Sequence, residues 1–136
     1  MTISRTDTVI VVGFLILVQG TGALAGFWLP AIAPEVGQSL GLSPSLIAYP
    51  VLILYIFAMI SSLMAGGIVR RLGAWRSSQA ALILIGVSHL MFMNGSLLFL
   101  ALGSIILGGA YGLLTPPASH LLSKIVTPKN RNLIFS

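Results

Sequence analysis

Apolar residues in this chain fall into four long runs, and polar residues collect in short stretches between them. The first run extends from about Thr8 to Leu29. As an α-helix it is about 33 Å long, enough for a hydrocarbon core of about 30 Å. Trp28 should anchor its far end at a membrane surface, and Pro30 and Pro34 should stop the helix. A polar connection with Glu35, Gln38 and several Gly and Ser residues is expected over 34–45. The second run extends from about Leu46 to Ile68, with Tyr49 near its outer end. The third, from about Ser77 to Met93, is the shortest. The fourth extends from about Leu97 to Leu122 and is interrupted at Thr115, Pro116 and Pro117, where adjacent prolines should kink it. The short turn Asn94–Ser96 makes the third and fourth helices antiparallel neighbours. A further apolar run begins near 132–136.

These elements predict an all-α fold, a polytopic transmembrane helical bundle. Composition sharpens the prediction. Hydrophobic residues make up 57% of the chain and charged residues 7%, against about 45–50% and about 25% in a globular domain. Too few charges are present to cover a water-soluble surface. The chain has no cysteine, which excludes disulfides and thiolate metal sites. The first run is too long for a cleavable signal peptide and lacks a small-x-small site followed by polar sequence.

The seven basic residues carry topology. Arg5 precedes the first run, Arg70, Arg71 and Arg76 lie between the second and third, and Lys124, Lys129 and Arg131 follow the fourth. By the positive-inside rule, the N-terminus and the second connection are cytoplasmic, and so is the segment after the fourth run. The first and third connections are then outside. Because every basic cluster flanks an apolar run, the net charge of +5 is assigned to lipid headgroups and orientation, and no nucleic-acid partner is expected.

No Asp, Glu, Lys or Arg lies inside the expected spans, which removes the usual marker of a proton relay. Small and polar residues remain. Gln19, Gly22, Ala23 and Gly26 share a face of the first span, and Tyr55, Ala58, Ser62 and Gly66 a face of the second. Ser104, Gly108, Tyr111, Gly112, Thr115 and Ser119 share one of the fourth. Gly22-x-x-x-Gly26 and Gly108-x-x-x-Gly112 suit close helix packing. An amide such as Gln19 near the middle of a span must find partners or face a cavity. His89 and His120 lie at different depths, too far apart for one metal site, and are expected to be interfacial or packed. Without a paired carboxylate, a Ser-His-Asp arrangement or a metal cluster, the chain is not expected to be an enzyme or to need a cofactor. A weak internal repeat pairs Gly13, Ile16, Leu17 and Gly22 with Gly103, Ile106, Leu107 and Gly112, as an inverted-topology repeat would.

The segment Gly66 to Arg76 resembles the cytoplasmic loop signature of the major facilitator superfamily, G-x-x-x-D-[RK]-x-G-R-[RK]. Gly66, Arg71 and Gly73 match in register, and Arg76 lies one place beyond the last basic position. Arg70 stands where the family usually has Asp, so an acid-mediated latch is not implied. Leu29 to Ala33, the glycine-rich fourth run, Thr115 to Ser119 and Arg131 to Ser136 also look like bacterial members. Ser104 stands where many members carry an Arg. Independently of any family, Gly73 permits a tight reversal with positive φ, and any short inner loop can look like this.

The resemblance implies the N-terminal part of a twelve-span secondary transporter of the bacterial inner membrane. It would move a small solute by alternating access. Expected cavity-lining residues are Gln19, Thr21, Tyr55, Tyr111 and Thr115. Gly66, Arg70, Arg71, Gly73 and Arg76 would form a cytoplasmic clasp. The partners would be the lipid bilayer, a small-molecule substrate and a missing C-terminal bundle, so the fragment is not expected to transport alone. The competing expectation is a small four-span interaction subunit or homo-oligomeric pore.

Overall fold

A computed structural model describes the backbone of residues 5–125 and the side chains of residues 9–43 and 45–114. The described residues are all-helical, in four helices: α1 (Arg5–Ser39), α2 (Pro44–Leu72), α3 (Ala74–Phe92) and α4 (Leu97–Ile125). By length and composition α1, α2 and α4 could each cross a membrane. α3 is shorter, 19 residues, and its first turns are diluted by Arg76, Ser77, Ser78 and Gln79.

Contacts along the helices show how they alternate. Phe14 stacks on Trp75 with ring centroids 4.5 Å apart, and Trp28 stacks on His89 at 5.4 Å. Both helices advance together between these contacts, so α1 and α3 run parallel. Gly108 faces Leu54 and Ala58 while Gly112 faces Ala58 and Ser62, so α2 and α4 are parallel as well. Gly22 faces Leu114 and Gly26 faces Tyr111, so α1 and α4 are antiparallel. The result is an up-down-up-down bundle in which α4 packs closely on both α2 and α3. Leu29, Leu54, Ala81 and Leu107, one from each helix, belong to one continuous buried core.

The surface is apolar. Leu24 is 76% exposed and Leu63 85%, with Ile16, Leu17, Met59, Ile83 and Leu98 also outward. Scattered exposed leucines are ordinary in a soluble protein, but continuous apolar faces along three long helices fit lipid as the solvent. Together these features describe a multi-pass membrane protein.

Two expectations are corrected. Pro30 and Pro34 do not stop α1; both lie inside it, and it runs on to Ser39. Their missing donors free the carbonyls of Gly26 and Pro30. Packing outweighs that loss, since Leu29 and Ala33 are buried and Gly37 is held against Ile47. The connection is therefore 40–43, not 34–45. It closes with Gly41 at φ +63° and Leu42 N–H donating to the Gly37 carbonyl at 2.8 Å, a Schellman end. The second correction concerns Gly66 to Arg76, which is not a loop. Gly66, Arg70 and Arg71 belong to the last turns of α2, and Arg76 lies in the first turn of α3.

Only Gly73 separates α2 from α3. Its φ of 81° with ψ of 155° is a conformation that essentially only glycine adopts. Its N–H donates to the Val69 carbonyl and its own carbonyl accepts from Ser77 N–H, so one residue ends one helix and starts the next. α4 extends through Thr115 to Ile125. The side chains of Thr115, Pro116, Pro117 and His120, and the whole segment from 126, including Lys129, Arg131 and the expected fifth run, lie outside the described residues.

Candidate functional site: a polar cavity between α1 and α4

Where α1 and α4 face each other, Gln19, Gly22, Ala23, Tyr111 and Leu114 line a cavity of about 240 Å³. The geometry follows from the small residues of α1. A methyl group at Gly22 would overlap the Leu114 side chain, and one at Gly26 would lie 2.8 Å from the Tyr111 ring. Glycine at both positions lets α4 side chains lie against the α1 backbone. One turn earlier, Gln19 meets no such obstruction and is exposed. Its amide opens onto the cavity beside a half-buried tyrosine. A carboxamide and a phenol supply both donors and acceptors without net charge. This arrangement can orient a neutral polar solute by hydrogen bonds.

Of the five residues expected to line a cavity, Gln19 and Tyr111 come together. Thr21 points elsewhere: it lines a separate space of about 360 Å³ between α1 and α3, with Leu24, Ala25, Trp28 and His89. Its hydroxyl donates to the Leu17 carbonyl at 2.8 Å. Tyr55 is exposed on α2 and lines neither space. The Thr115 side chain is outside the described residues.

The stripe on α4 does not act as one face. Gly108 and Gly112 are buried against the backbone of α2; a methyl group at 112 would lie 2.7 Å from the Ser62 nitrogen. Tyr111, between them in sequence, turns toward α1. Ser104 is fully buried, and its hydroxyl has no partner among the described residues. Ser61 of α2 donates its hydroxyl to the Gly109 carbonyl, tying the two helices across their seam. That acceptor is a backbone carbonyl, which no residue pattern announces. Ala23 lies on the face expected for Gln19, whereas Leu114, three residues from Tyr111, has no polar character that would mark it in the sequence.

His89 is half-buried and packed. Its Nδ1–H donates to the Ile85 carbonyl at 2.8 Å, its ring stacks on Trp28, and Phe92 meets both rings edge-on. The Trp28 indole N–H is buried without a partner among the described residues. No cluster of three metal-ligating side chains occurs among the described residues.

The chain matches no family model, no curated protein and no solved structure.

Proposed function

We propose that this chain contributes half of the solute path of a secondary active transporter resembling the major facilitator superfamily, with Gln19 and Tyr111 as hydrogen-bonding groups on its wall. The observation that carries the proposal is the meeting of these two uncharged polar side chains in a cavity near the middle of the expected first span. An exposed amide there has a high desolvation cost in hydrocarbon, and water or a solute in a cavity removes that cost. Alternating access then requires a second helical bundle to face α1 and α4 and close the path. All four helices span in this reading, because α3 lies alongside α1 over the length between its two aromatic contacts. The arginines around Gly73 face the cytoplasm of a bacterial inner membrane in this reading.

The test is solute counterflow in proteoliposomes, using the chain together with any reading frame continuous with it. Saturable uptake that falls at least tenfold in Gln19→Leu, with membrane insertion unchanged, is the expected result. Non-saturable flux through the chain alone would favour a homo-oligomeric pore instead. Reporter fusions after Gln38 and after Arg76 test orientation, and a cytoplasmic signal after Gln38 would contradict it.

A further inference from the structure

The inner turns of α2 carry a feature that the transport reading does not use. Leu63, Met64, Gly67, Ile68, Arg70 and Arg71 surround a groove of about 490 Å³ on the outer surface of the bundle. The groove is open at Gly67, which has no side chain and against which nothing packs: a methyl group added there would meet no atom within 4 Å. Above the notch stand two strongly exposed apolar side chains, Leu63 at 85% and Met64 at 61%. Below it, in the last turn of the helix, stand two exposed arginines.

Depth and charge identify the occupant. Trp75 is exposed, stacks on Phe14, and is separated from the arginine turn by little more than Gly73. An exposed Trp at a helix end marks the headgroup level, so the guanidinium groups lie at the depth of lipid phosphates. Leu63 lies seven residues above Arg70, about 10 Å along the helix, where acyl chains begin. Of the two acidic residues, Glu35 belongs to the opposite end of the bundle, and Asp7 lies in the first turns of α1, a separate helix, with its side chain outside the described residues. The partial negative charge of the α2 C-terminus offsets only about half of one arginine charge. A guanidinium pair is suited to bidentate contact with phosphate, and the leucine and methionine above it to a chain.

We propose that this notch holds one anionic phospholipid of the leaflet its arginines face, with the phosphate on Arg70 and Arg71 and an acyl chain laid across Gly67 against Leu63 and Met64. The proposal does not depend on transport, or on which side of the membrane the arginines occupy.

The test is native mass spectrometry of the full chain, purified in non-ionic detergent and exposed to equal amounts of phosphatidylglycerol and phosphatidylcholine. The expected result is one retained phosphatidylglycerol per chain, favoured at least tenfold. Arg70→Gln with Arg71→Gln should lower that preference on the order of tenfold or more. Gly67→Leu, which fills the notch and keeps both charges, should lose the lipid while far-UV circular dichroism stays unchanged. Equal retention of the two lipids would overturn the proposal. So would an unchanged preference in the double arginine variant, or undiminished binding in Gly67→Leu, which would mean that surface charge alone attracts lipid. Displacement of the lipid by millimolar inorganic phosphate would also overturn it, by reducing the site to a bare anion site.

Discussion

Substituting Gly108 or Gly112 by alanine should loosen the bundle at its tightest seam, and neighbouring Gly109 provides the control. A methyl group at 108 would fall on the Leu54 carbonyl and lie 3.0 Å from both the Ala58 nitrogen and the Phe57 Cβ. At 112 it would fall on the Ala58 carbonyl and lie 2.7 Å from the Ser62 nitrogen and 2.8 Å from the Ser61 Cβ. Most of these atoms belong to the α2 backbone and cannot swing aside, so α2 and α4 must separate by roughly 1 Å to restore ordinary contact. Overpacking of this kind costs about 1–3 kcal/mol. Separation also stretches the Ser61 to Gly109 hydrogen bond, and interhelical bonds in membranes average about 0.6 kcal/mol. Each single variant should therefore lose about 1.5–3.5 kcal/mol. The double variant should lose clearly less than the sum, because one separation relieves both clashes. Nothing lies within 4 Å of a methyl group at Gly109, so Gly109→Ala should be neutral or gain up to about 1 kcal/mol from helix propensity. Reversible unfolding by dodecyl sulfate in mixed micelles, followed by circular dichroism, measures the differences. Equal stability of the Gly108→Ala and Gly109→Ala variants would refute the close α2–α4 contact.

Two further perturbations test other parts of the bundle. Gly73→Ala places a side chain at φ 81°, ψ 155°, and should cost about 1–3 kcal/mol in the same unfolding assay, although the space around it is open; no loss would mean that α2 and α3 are not joined as described. Ser61→Ala should lose about 0.6 kcal/mol with its interhelical bond, whereas Ser104→Ala, which removes a buried hydroxyl without a described partner, should be neutral or stabilising. The opposite order would show that Ser104 has a partner.

The helical architecture was legible because each apolar run is long enough to read without knowing its neighbours. The end of α1 was not legible, because the rule that proline stops a helix is local, while Leu29, Ala33 and Gly37 continue α1 by packing outside that window. Gly73 could be read as a reversal from its residue type, but sequence spread the reversal over Gly66 to Arg76 when one residue carries it. The site was legible in part. Gln19 and Tyr111 stand out by polarity within apolar runs, and they line one cavity. Thr21 and Tyr55 stand out on the same ground and do not join them: a residue two positions from Gln19 points about 200° around the helix, and Tyr55 is exposed on α2. On α4, Tyr111 and Gly112 are adjacent in the stripe yet serve different neighbours, and only the placement of α1 and α2 separates them.

The central claim is that the groove between α1 and α4 is a solute path rather than a lipid-facing seam. The chain has no cysteine, so single replacements report without background. Gln19→Cys and Tyr111→Cys, in the membrane-inserted protein assembled with any continuous frame, should react with a charged, membrane-impermeant thiosulfonate at least tenfold faster than Leu24→Cys, whose parent side chain is 76% exposed on the apolar surface of the same helix. Saturating substrate should slow both reactions. If Gln19→Cys reacts no faster than Leu24→Cys, water does not reach the groove and the transport reading is wrong.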